Sequence, residues 1–135
     1  MLDTDTVIYT LKDHPNVVSS LKLHLQDPSL LSSIALIELL FIYLNKSQKV
    51  TVNLAKIKSL EKELHTLPVT REIAEVFGML KADLERKGIP LDDFDLALAV
   101  SAVARNLVLV TNNTKHFKRI EGLRLENWAE PGEGG

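Results

Sequence analysis

Leu107-Val108-Leu109-Val110-Thr111-Asn112-Asn113 decides the fold. Four apolar residues, two of them β-branched, run into a hydroxyl and then two amides. That is a short buried strand ended by a polar turn. Upstream, Asp92 to Arg105 is apolar and alanine-rich, and reads as a helix. Downstream, Leu123 to Trp128 alternates as a last strand. Helix, strand and strand therefore follow one another closely at this end of the chain.

Working towards the other end, the segment between Thr70 and Gly88 carries Ile73, Val76, Phe77, Leu80 and Leu84 on one helical stripe. Thr70 suits its N-cap and Gly88 its stop. His65 to Val69 is a short strand or an extended link, and Ser47 to Glu63 shows a helical stripe of Val50, Leu54, Ile57, Leu60 and Leu64. Leu30 to Leu44 is nearly all apolar. Its start reads as a short strand or as part of a buried helix, and periodicity does not separate the two. Asn16 to Gln26 is helical and broken by Asp27-Pro28, and Asp3 or Thr4 can cap a helix beginning near Thr6. Many helices with short apolar strands among them predict a three-layer α/β/α domain on a small, mostly parallel sheet. Ligands in such folds sit at the carboxyl ends of the strands. One domain is expected over residues 1–128, with 129–135 as a disordered polar tail.

The 135 residues carry 16 basic and 18 acidic side chains, a net charge of −2, and no cysteine. Bulk-charge coating of nucleic acid is excluded, as are disulfides, thiolate zinc sites and cysteine nucleophiles. No membrane span or secretory signal is legible, so the expected location is the cytoplasm.

Glu38 is the most informative residue. It is the only acidic or basic side chain between Pro28 and Asn45, and its neighbours are almost all apolar. A carboxylate there needs a partner from elsewhere: a cation, a distant base, or solvent in a cleft. Asp3 and Asp5 follow a possible first strand. Asp92, Asp93 and Asp95 crowd one helix start, where the dipole favours acids by roughly 0.3–1 kcal/mol each. Asp92 is expected to cap and Asp95 to point at the sheet. Thr111, Asn112 and Asn113 close the best strand. Taken separately, each of these has an ordinary explanation in a cap, a turn or a solvated face. Taken together, acids from three segments next to apolar elements fit a carboxylate cluster for a hard divalent ion such as Mg²⁺ or Mn²⁺. Lys115, Lys118 and Arg119, and the lysines of residues 46–62, are candidate phosphate contacts. The four histidines show no metal-ligand spacing, and no glycine-rich phosphate loop or nucleophile elbow is present.

Four motifs in order then carry a resemblance: Met-Leu-Asp-Thr-Asp-Thr at 1–6, Ser-Ser-Ile-Ala-Leu-Ile-Glu-Leu at 32–39, Gly-Ile-Pro-Leu-Asp-Asp-Phe-Asp at 88–95, and Leu-Val-Leu-Val-Thr-Asn-Asn-Thr-Lys-His-Phe at 107–117 with Gly122 to Trp128 behind it. The chain resembles PIN-domain ribonucleases, above all the VapC toxins of toxin–antitoxin pairs, over about 128 residues. The resemblance implies a PIN fold and a metal-dependent endoribonuclease. It makes Asp3, Glu38 and Asp95 the metal-binding and catalytic acids, with Thr111 close by. It further implies an RNA substrate (transfer, ribosomal or messenger), a VapB-type antitoxin, and a homodimer using apolar surface such as Phe41 and Tyr43. The chain departs from the family in two places. Asp5 stands where Asn is common. Asn112, Asn113 and His116 stand where many members place a fourth acid. The rival expectation, from another class, is a catalytically weak or inactive binding module.

Overall fold

The computed structural model describes residues 1–23, 30–46 and 50–130. Its chain order is α1 (Thr4–Leu11), α2 (Pro15–Leu23), β1 (Leu30–Ser32), α3 (Ser33–Lys46), α4 (Val50–Glu63), β2 (His65–Leu67), α5 (Arg71–Arg86), α6 (Asp93–Ala104), β3 (Val108–Val110), α7 (Thr114–Phe117) and β4 (Arg124–Glu126). The expected break at Asp27-Pro28 and the start of the fourth helix at Ser47 lie outside the described residues.

The strands are short because each is one apolar layer thick. β1 pairs in parallel with β2, and β3 in parallel with β4. Leu2 joins the two pairs, bridging Leu31 on one side and Val110 on the other, both in parallel. Residues 1–3 are therefore the middle of the sheet. The Met1 nitrogen donates to Val108 O at 2.7 Å, Val110 N to Met1 O at 2.8 Å, and Asp3 N to Val110 O at 3.0 Å. Leu2, Leu31 and Leu109 fill the sheet's interior, each at most 1% exposed. α6 packs on β3 and against α3 and α5. With Leu96, Leu98, Ala99, Val100 and Ala102 all buried, it explains its lack of a polar stripe.

Leu30 to Leu44 resolves as both alternatives in sequence: three residues of strand, then helix. Ser32 makes the switch, its hydroxyl accepting from Ile34 N at 3.1 Å, while Ser33 Oγ donates to Leu67 O at 2.9 Å. α1 begins at Thr4, two residues earlier than expected, because Asp3 rather than Thr4 is the cap. Thr70 caps α5 as predicted. Gly88, at φ +72°, ends it: Gly88 N donates to Glu85 O and Ile89 N to Leu84 O. Asp13 and Asn106 end α1 and α6 the same way, at φ 56° and 55°. Ala129 is still held, its carbonyl accepting from Asn16 Nδ2 at 3.1 Å, so anchoring contacts run one residue past the expected boundary at 128. Residues 131–135 of the expected tail lie outside the described residues.

Candidate active site at the carboxyl edge of the sheet

Ser32 ends β1, Thr111 follows β3 and Asp3 follows the bridging Leu2, so the three share the carboxyl edge of the parallel sheet. Asp3 is buried, and its Oδ1 accepts from Thr6 N at 2.8 Å as the cap of α1. The Thr111 hydroxyl also bonds to its carboxyl. Burial raises the Asp3 pKa, and the charge of Asp5 adds to this, against the opposing hydrogen bonds of Thr111 and Thr6.

α3 carries Glu38 to the same edge. Thr4 Oγ1 donates to Glu38 Oε1 at 2.9 Å, tying α3 to the first residue of α1. The partner Glu38 lacked in its own segment is therefore a hydroxyl 34 residues away, supplemented by solvent. Burial raises its pKa; the charges of Asp95, Asp92 and Asp5 push the same way, while the Thr4 bond opposes them.

The three acids at the start of α6 separate as expected. Asp92 caps, accepting from Phe94 N at 3.0 Å. Asp93 turns outward to Lys81 Nζ at 2.8 Å. Asp95 turns inward, and its Oδ2 lies 3.0 Å from His116 Nε2. Burial raises the Asp95 pKa, with Asp92 and Asp5 adding to it and His116 opposing. The negative charge of Asp5, exposed on the first turn of α1, is felt by Asp3, Glu38 and Asp95 alike.

Thr4 and His116 were not among the expected site residues. Thr4 is signalled by nothing but its place beside Asp3. The short helix α7 carries His116 to Asp95 across 21 residues, a contact that the histidine spacing does not signal. Asn112 belongs elsewhere: its Nδ2 donates to Tyr9 Oη at 3.3 Å and its Oδ1 accepts from Asn127 Nδ2 at 3.2 Å, which clamps α1 to the end of β4. Asn113 is the cap position of α7, without a side-chain bond to the helix. Lys115 and Lys118 are exposed beside the site on α7 and its end. Arg119 is partly committed, donating to Pro90 O at 2.8 Å. Among the lysines of residues 46–62, Lys49 and the side chain of Lys46 lie outside the description, while Lys56, Lys58 and Lys62 are exposed.

Among the described residues, no three of His, Asp and Glu stand close enough to enclose an ion unaided. The donor chemistry nevertheless fits a hard divalent cation: crowded carboxylates of raised pKa, backed by the hydroxyls of Thr4 and Thr111, on an edge open to water. Such ions keep several waters and need few protein oxygens.

Two other surfaces stand out. A groove of about 890 Å³ lies between α1, α2 and α4, lined by Leu11, Val18, Leu21, Val52, Ala55 and Leu60, with Asp13, Lys22 and Lys56 also lining it. Its lining includes none of the acids. On α3, Ile37, Phe41 and Leu44 form an exposed apolar stripe, with Phe41 64% exposed. Tyr43, expected on such a surface, instead packs against the core.

The model of the PIN domain family matches residues 1–123. The chain is 37% identical over 129 residues to the tRNA(fMet)-specific endonuclease VapC of Shigella flexneri, covering 96% of this chain and 97% of that one. It is 37% identical over 130 residues to ribonuclease VapC2 of Rickettsia felis, covering 95% and 96%. The structure of VapBC2 from Rickettsia felis bound to a DNA fragment from their promoter superposes with a TM-score of 0.87 at 36% identity, over 95% of this chain and 97% of that one.

Proposed function

We propose, from the premise that this chain belongs to the PIN-domain family, that it is a VapC-type endoribonuclease: a metal-dependent toxin that hydrolyses RNA phosphodiesters. The observation that supports the reading is that Thr4, the residue after Asp3, bonds Glu38 at 2.9 Å, while the charge of Asp95 also bears on Glu38.

Asp3, Glu38 and Asp95 would hold one Mg²⁺ or Mn²⁺, partly through water. When bound, such an ion supplies an activated water and offsets charge on a phosphodiester in displacement. The residues' own work is positional. Thr6 N and the Thr111 hydroxyl fix the Asp3 carboxyl, and Thr4 fixes that of Glu38. Rigidly held donors keep the productive geometry without reorganisation. Lys115 and Lys118 are exposed, and would contribute sequence-independent attraction to an RNA backbone. Transfer RNA is the substrate class to test first, since the Shigella relative is named for one.

The partners follow from the same reading. A VapB-type antitoxin, as found with the Rickettsia relative, would lay an apolar segment in the groove between α1, α2 and α4. The stripe Ile37, Phe41 and Leu44 supports a homodimer.

The test is cleavage of purified transfer RNA by the antitoxin-free chain with Mg²⁺ or Mn²⁺, against EDTA and Asp95→Asn. Discrete products requiring both the ion and Asp95 are expected. A folded Asp95→Asn variant that cleaves as well as the parent refutes the assignment. Absence of cleavage by the folded parent on total cellular RNA favours a binding module.

A further inference from the structure

Two aromatic side chains are exposed among the described residues, Phe41 and Phe94. Phe41 belongs to the apolar stripe of α3. Phe94 belongs to no stripe: it is 42% exposed, and Asp92, Asp93 and Asp95 flank it in sequence. A single exposed apolar residue is ordinary on a surface. The position of this one is not. Consecutive residues of a helix point about 100° apart. In the first turn of α6, Asp93 reaches Lys81 on α5, Asp95 reaches His116 on α7, and Leu96 enters the core. Phe94 takes the remaining direction, between the two acids and away from the core. Neighbouring Cα atoms are ~3.8 Å apart, so the ring starts out beside Asp95. Its backbone is fixed as well, because Phe94 N donates to Asp92 Oδ1 at 3.0 Å. The acids around the ring are each answered: Asp93 by Lys81, Asp92 by the positive end of the helix it caps, Asp95 by the contact with His116.

We propose that Phe94 positions the substrate by stacking its ring on the nucleobase beside the phosphodiester to be cut. The inference rests on the ribonuclease reading above and names a side chain that holds the RNA at that site. A nucleotide bent to bring its phosphate to the acids gives up stacking on a neighbour in its own strand. An aromatic ring on a rigid helix start replaces that contact, and accepts any base because every base has a π-face. Phe94 therefore supplies grip and alignment rather than sequence choice. The competing occupant is a second copy of the chain, with Phe94 as an outlier of the α3 stripe.

The cut is first mapped from the products of the full-length parent on transfer RNA. Oligoribonucleotides spanning it are then made intact, or lacking the base on one side or the other of the scissile bond. On the intact substrate Phe94→Ala is expected to lower kcat/KM about 10- to 100-fold, and Phe94→Tyr and Phe94→Trp to restore it to within about threefold of the parent. The parent should lose a similar factor on one of the two abasic substrates, while Phe94→Ala loses less than about twofold more, the non-additivity of two groups in contact. Additive losses, or full-rate cleavage by Phe94→Ala, overturn the proposal and leave the ribonuclease reading standing. A Phe94→Ala chain that sediments as a monomer where the parent is a dimer assigns the ring to the subunit interface and overturns it too. A folded parent that cleaves no RNA overturns both. Alanine is the better helix former, so the exposed substitution keeps the fold. An independent measurement needs no loss of activity: in EDTA, transfer RNA should quench the emission of Phe94→Trp above that of the parent, whose Trp128 is buried, and equal quenching of the two overturns the stacking.

Discussion

Replacing Thr4 by Val removes one hydroxyl and nearly preserves the shape of the side chain. That hydroxyl donates to Glu38 Oε1 at 2.9 Å from a residue only 7% exposed. A hydrogen bond to a charged group contributes about 1.5–3 kcal/mol. Glu38 is only partly buried, and water screens it, so the lower end applies, roughly 1.5 kcal/mol. With an unfolding entropy of about 2.1 cal/mol/K per residue, this chain's length turns that loss into a fall in Tm of about 5 °C. The sign with pH follows from Glu38. Its pKa is raised above the ordinary value of 4.5, so its contribution to stability is present below that value and lost as pH rises through its folded pKa. Thr4 opposes the rise, and its bond matters only while the carboxylate is charged. The gap between parent and variant should therefore be small near pH 4.5 and open as pH rises to 7.5. Urea unfolding followed by circular dichroism at the two pH values measures it. An equal deficit at both, or none at 7.5, would refute the claim that Thr4 acts through the Glu38 charge. Cleavage should fall about 10- to 100-fold as well, the usual cost of losing a group that orients a metal-site carboxylate.

Two further outcomes follow from neighbouring features. Asp3→Asn keeps a side chain that can cap α1 but removes a charge whose pKa is raised mainly by burial. Its stability relative to the parent in metal-free buffer should increase as pH rises from about 4 to 7, while stabilisation by Mg²⁺ or Mn²⁺ and all RNA cleavage are lost; thermal melts with and without the ion read both. Gly88→Ala forces a Cβ into φ +72° where no atom crowds it, so the expected cost is the backbone alone, about 1 kcal/mol or some 3–4 °C in Tm, with cleavage unchanged.

What the sequence disclosed and what it withheld divide along a physical line. Leu107 to Thr111 was legible as a strand because its apolar, β-branched run is a local property, although β3 proper is only Val108–Val110. Glu38 was legible because one carboxylate among apolar neighbours is a local contradiction. Asp92 and Asp95 could be told apart because capping and the apolar run behind Asp95 are both local. Thr4 and His116 were not legible as site residues. Their partners lie 34 and 21 residues away, and neither has an unusual neighbourhood. A hydroxyl after an N-cap and a single histidine on a four-residue helix have ordinary local explanations. The middle of the sheet was hard to see for the same reason: residues 1–3 are too short to show periodicity, and only their hydrogen bonds to residues 108–110 make them a strand partner.

That placement has a bearing on when the site comes into being. Protein synthesis delivers Asp3 first and the edge that orders it last. Asp3 N needs the Val110 carbonyl, and the Asp3 carboxyl needs the Thr111 hydroxyl. A nascent chain that has passed Glu38 and even Asp95 still has nothing to hold Asp3 in register, because pairing across more than a hundred residues waits for both partners to exist. The carboxylates cannot be assembled before the last fifth of the chain leaves the ribosome, so the growing chain has no complete carboxylate set beside the RNA-rich machine that makes it.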